Sequence, residues 1–228
     1  MPLRIAWLIV LTAIALGVLL SACGSSGSGV TGATVSGPGI QTGPPPWPPQ
    51  DGNLRARLAA LHLPAPGKET FHIHEQLRIY NDGIPVAVPA DIGIDEKQGI
   101  ETSLHTHDAT GVIHMEADKP FRATLGDLFT VWGVALGPDH VGGLKAADGT
   151  PLRFFVNGRQ ITDPAAHVLR KNDNILIAYG DMTGVPRVPD TTALKAANGT
   201  GKGTAPCSTT KSGKTKTSCL AKPAPKSG

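Results

Sequence analysis

The 228-residue sequence predicts an α+β fold, a small mixed sheet of hairpins under one covering helix. Three observations carry that prediction. Short runs of alternating apolar and polar residues recur, separated by turn sequences of which Asn81-Asp82-Gly83 and Asn157-Gly158 are the clearest. One amphipathic helical segment, residues 124–132, interrupts them. The 28 Gly and 20 Pro concentrate outside the middle of the chain, which favours one folded domain with irregular flanks over two domains.

At the N-terminus, Arg4 precedes an apolar run over residues 5–20, short for a membrane span and suited to the core of a signal peptide. The run ends in Leu20-Ser21-Ala22-Cys23, which resembles the lipobox of bacterial lipoproteins. That resemblance implies cleavage after residue 22 and lipidation, with palmitate-type chains, of Cys23 as the mature N-terminus. An uncleaved anchor is the alternative, and it places the domain on the same, extracytoplasmic side of the cell membrane. Residues 23–50 are rich in Gly, Ser, Thr and Pro and read as a tether. Residues 51–183 form the globular unit, and residues 184–228 a disordered, lysine-rich tail.

Within the globular unit, Leu54, Leu58 and Leu61 recur at helical spacing behind a capping signal at Asp51 and Asn53, predicting a short helix over 53–62. Residues 71–80 alternate as a strand, and residues 84–88 return beside it with Pro85 marking an edge. Residues 103–107 and 112–116 make a second pair around the turn 108–111. Thr124 and Asp127 have the spacing of a capped helix start, with Leu125, Leu128, Phe129 and Trp132 on one face. A Gly-rich loop follows over 137–149, then a hairpin of residues 152–156 and 159–161, a short turn over 163–168 and a closing strand at 174–179. From Leu152 onward this order resembles the second half of a ubiquitin-like β-grasp domain. An all-β sandwich of cupredoxin type is the alternative, although the usual Cys, His and Met copper loop is missing.

Five of the eight histidines fall between positions 72 and 114. Strand residues two apart share a face, so His72 pairs with His74 and His105 with His107. A four-residue turn at 108–111 sets His114 across from His105, with Glu116 on the same face. Neutral imidazoles each offer a nitrogen lone pair, and three with a water make an open tetrahedral metal site. His105, His107 and His114 are the first ligand candidates, with His72 or His74 completing the set and the other supporting it. Glu116 or Glu75 can serve as ligand, orienting group or general base. Asp108 reads as a turn residue bonding its own backbone. Met115 points away from His114 and the domain has no cysteine, so Zn²⁺ or Cu²⁺ is favoured over Cu⁺. Without metal, the same cluster reads as a hydrogen-bonded polar patch. His62, His140 and His167 lie in unrelated segments.

The string HTHDATGVIHME at residues 105–116, followed by TLGDLF at 124–129 and Trp132-Gly133, resembles a pattern in exported bacterial lipoprotein-like proteins of no assigned activity. The resemblance covers residues 53–181 and implies kinship without a mechanism.

The formal charge of +3 hides an asymmetry. Residues 51–190 hold all 18 acids and 13 bases, net −5, whereas 191–228 hold seven lysines and no acid. Lys195, Lys202, Lys211, Lys214, Lys216, Lys222 and Lys226 lack interleaved aromatics, so bases have nothing to stack on and nucleic acid is not expected as a partner. An anionic envelope polymer or lipid surface suits this charge better. Cys207 and Cys219, in an exported segment, are expected to pair as a disulfide. No nucleophile elbow, phosphate-binding loop or dinucleotide fingerprint occurs in context. The sequence therefore predicts a metal-binding module more than an enzyme, with a metal-assisted envelope hydrolase and a metal-free interaction module as alternatives.

Overall fold

Eleven consecutive residues, with apolar side chains at alternate positions (Phe71, Ile73, Leu77, Ile79) interrupted by Glu75, make the strand around which the domain is organised. In the computed structural model, which describes residues 32–67, 70–147 and 149–199, this is β1 (Phe71–Asn81). A 3₁₀ turn at Asp51–Asn53 and the short helix α1 (Leu54–Leu58) precede it. After it come β2 (Ile84–Val86), β3 (Ile94–Asp95), β4 (Ile100–Glu101), β5 (Leu104–His105) and β6 (Val112–Ala117). The helix α2 (Leu125–Trp132) is followed by β7 (Leu136–Gly137), β8 (His140–Val141) and β9 (Leu144–Lys145). Then come β10 (Leu152–Val156), β11 (Arg159–Ile161), β12 (Asn174–Tyr179) and α3 (Thr192–Gly199).

The fold is mixed α+β and mostly strand. Its main sheet has the order β11-β10-β12-β1-β6-β5, with β2 on the second half of β1. β1 and β12 run parallel, and the other pairs are antiparallel. Side chains alternate across this sheet. Leu77 and Ile79 of β1, Ile113 and Met115 of β6, and Ile175 and Ile177 of β12 join the core. There they meet Leu125, Leu128, Phe129 and Trp132 of α2, each fully buried and contributing roughly 1.5–3 kcal/mol for an aliphatic or phenyl side chain. The expected capping box starts α2: Asp127 N–H donates to Thr124 Oγ1 (3.1 Å) and Thr124 N–H to Asp127 Oδ2 (2.7 Å). Gly133 ends it at φ 83°, where a side chain would be strained.

Four expectations need correction. Residues 32–50 are a strap on the domain, not a free tether. Trp47 is 2% exposed, donates its indole N–H to Gly43 O (2.9 Å) and meets Trp132 edge to face. Trp132 in turn donates to Trp47 O (2.9 Å), and the buried Arg57 reaches the carbonyls of Gln50, Thr130 and Val131. An extended Pro-rich backbone leaves its carbonyls unpaired, and these donors are what hold it. The tail begins with order as well: α3 buries Leu194 and packs on β1 and β6. The Gly-rich loop contains a small sheet, β7-β8-β9. Finally, α1 is shorter than 53–62, and Asn53 forms no side-chain cap. Cys23, Cys207, Cys219 and all tail lysines except Lys195 lie outside the described residues. Among the described residues no helix is long and apolar enough to cross a membrane.

Candidate metal centre

The sheet face opposite α2 carries the histidines. Pairing sets His72 across from Glu116 and His74 across from His114 between β1 and β6, and His105 across from His114 between β5 and β6. The last of these is the register the turn length predicts. β5 is shorter than expected, ending at His105, so His107 comes from the loop, yet its ring centroid lies 4.6 Å from that of His105 and 4.4 Å from that of His114. All five predicted imidazoles and Glu116 are thereby gathered. Two sets, His72, His74, His114, Glu116 and His105, His107, His114, Glu116, each have donor atoms within 4.8 Å of one another. These groups are close enough to hold a metal ion.

Glu116 is the hub. Its Oε1 lies 2.7 Å from His72 Nε2, 3.0 Å from His114 Nδ1 and 3.8 Å from His105 Nε2. Burial opposes the charge of this carboxylate, but the His114 hydrogen bond and the fields of His105 and His72 hold its pKa below the usual range. The imidazoles shift the other way. Burial, reinforced by His114, lowers His74 to about 4. Burial first, then His107 and His114, lowers His105 despite the opposing Glu116, and burial first lowers His107. Neutral rings with available lone pairs are what a divalent cation requires.

Two residues outside the predicted set orient these rings. Thr102 O accepts from His105 Nδ1 (2.7 Å), which leaves Nε2 as the lone-pair nitrogen facing His107 Nε2 at 3.1 Å. Asn198 of α3 places Oδ1 3.3 Å from His74 Nδ1. Its amide nitrogen donates to Asn172 Oδ1 and Leu194 O, both at 2.9 Å, which fixes the oxygen as the acceptor for His74. No sequence pattern announces either partner, because one is a backbone carbonyl and the other arrives from more than a hundred residues away.

Glu75 does not join the cluster. It faces the core side of β1 with Leu77, is fully buried, and burial followed by the charge of Asp173 raises its pKa to about 9. Asp108 is the turn residue expected, its Oδ1 accepting from Thr110 N (2.9 Å). Met115 lies in the core, away from the histidines. His140 pairs with Asp139 (2.7 Å), His167 with Asp173 (2.9 Å), and His62 is exposed.

No protein-family model, curated protein or solved structure matches the chain.

Proposed function

We propose that this chain is a membrane-anchored, extracytoplasmic module that holds Zn²⁺ or Cu²⁺ through His105, His107, His114 and the pair His72 and His74. The observation that carries the reading is the convergence of imidazole nitrogens from three separate segments on the Glu116 carboxylate. Nitrogen with one carboxylate oxygen, and no sulfur, is a donor set suited to those two ions. The extracytoplasmic, lipid-anchored location rests on the sequence alone, on the apolar run and Cys23. The lysine tail is the proposed contact for an anionic envelope polymer or lipid. We also propose that the sheet is β-grasp-like: two antiparallel strands, a covering helix, a hairpin and a closing strand parallel to the first.

Binding is preferred over hydrolysis on one observation. Glu116 is engaged by His72 and His114 and held below the ordinary carboxylate range, which makes it a weak base, and Glu75 lies on the other face. The test is elemental analysis of protein stripped by chelator, reloaded and desalted, with melting followed in parallel. Stoichiometric metal and a raised melting temperature are expected; less than about 0.2 metal per chain with unchanged melting would overturn the reading.

A further inference from the structure

Building on the metal-binding reading, we infer that the site takes two divalent cations, bridged by Glu116, and not one. The six donor residues do not form a single close group among the described residues. They fall into two sets that share only His114 and Glu116. The reason is the strand order. β6 lies between β1 and β5, and adjacent strands are about 4.8 Å apart, so the pair on β1 and the pair at the end of β5 sit on opposite flanks of β6. His72 and His74 belong to one flank, His105 and His107 to the other, and the shared residues are the two on β6 itself.

One tetrahedral ion takes four ligands, and it would leave one flank's imidazole pair unused. Both flanks are built for use. His74 is held by Asn198 and His105 by Thr102, each through Nδ1, which leaves Nε2 of each of these two rings as the lone-pair nitrogen. Glu116 is placed to serve both sides, with the same oxygen 2.7 Å from His72 Nε2 and 3.8 Å from His105 Nε2. A carboxylate has two oxygens and spans two ions about 3.5–4 Å apart. His114 is common to both sets; its Nδ1, 3.4 Å from His72 Nε2, would serve the ion on the β1 flank. The ion on the other flank then has His105, His107 and Glu116, with one position open to water. Five neutral imidazoles and one carboxylate leave two divalent ions with net positive charge, so the ligand expected at the open position is hydroxide or a small anion.

The experiment uses the full chain in detergent, stripped and reloaded with Zn²⁺ alone, and separately with Cu²⁺ alone for electron paramagnetic resonance. Two Zn²⁺ per chain are expected, falling to one in His72→Ala/His74→Ala and to one in His105→Ala/His107→Ala, and unchanged in His140→Ala. The Cu²⁺ protein should show the half-field transition of a close ion pair, lost in Glu116→Gln. One Zn²⁺ per chain in the unmutated protein would overturn the two-ion inference while leaving the metal-binding reading intact; none would overturn both. Two Cu²⁺ giving only the spectrum of isolated ions would overturn the bridge. The spectrum of the unmutated protein decides that point even if Glu116→Gln does not fold.

Discussion

Replacing Glu75 by Gln should flatten the dependence of stability on pH in the metal-free domain between about 4.5 and 9. In the folded protein this carboxyl is fully buried, its two oxygens have no hydrogen-bond partner among the described residues, and burial with the nearby Asp173 raises its pKa from 4.5 to about 9. The unfolded chain releases the proton near pH 4.5, whereas the fold keeps it to about pH 9. The native state therefore binds more protons in that window, and stability from this group is fully present below pH 4.5 and is lost as pH rises toward 9. Each pH unit is worth about 1.4 kcal/mol, so at pH 7 the wild-type carboxyl costs roughly 3 kcal/mol relative to acid conditions. For a domain of this size that corresponds to a melting shift of roughly 6–12 °C. Thermal melts of both proteins from pH 4.5 to 8 measure it, and the readout is the difference in slope, since the buried amide of Gln has its own cost. A constant difference between the two curves across that range would refute the buried, protonated carboxyl.

Trp47→Ala should destabilise the domain by about 3–5 kcal/mol, because it empties a buried site and removes the contact with Trp132; a melting temperature unchanged from wild type would show the 32–50 strap to be dispensable. Burial lowers His74 to about 4 and also lowers His105 and His107, so in the metal-free protein their contribution to stability is lost as pH falls below 6.5, the unfolded state then binding more protons; Glu75→Gln protein, melted from pH 7 to 5, above the range where Glu116 contributes, should show this limb and show it reduced in His74→Ala/His105→Ala, and an unchanged slope would contradict it. Asn198→Ala should weaken Zn²⁺ affinity by about 10- to 100-fold through loss of the bond that orients His74, with little change in the far-ultraviolet circular dichroism; equal affinity would remove α3 from the account. Cys23→Ala should abolish incorporation of labelled palmitate in a bacterial host, and retained label would place the acyl chain elsewhere.

The parts of the fold legible in the sequence were those governed by local chemistry. Asn157-Gly158 adopts positive φ at both positions, as a tight hairpin requires, and Thr124 with Asp127 closes the capping box that their spacing announces. The face shared by His105, His114 and Glu116 followed from strand alternation and the length of one turn. What alternation could not supply was contact between distant segments. The stretch ending in PPPWPP has the composition of a linker, and what makes it part of the domain is long-range: N–H donors from Arg57 and Trp132 to its carbonyls, backbone bonds to residues 133–143, and the burial of Trp47. Residues 192–199 have a single buried apolar side chain, Leu194, so their docking over the histidine face left little periodic trace. The placement of His72 and His74 beside the other histidines likewise depended on which strand lies next to β6, a matter of long-range pairing.

Whether imidazoles of this cluster ligate the ion is decided by X-ray absorption at the zinc edge of the reloaded protein. Nitrogen and oxygen neighbours at about 2.0–2.1 Å, outer-shell scattering from two to three imidazole rings per zinc, and no sulfur near 2.3 Å are expected. Loss of zinc on desalting, or a spectrum lacking imidazole scattering, would contradict that ligation.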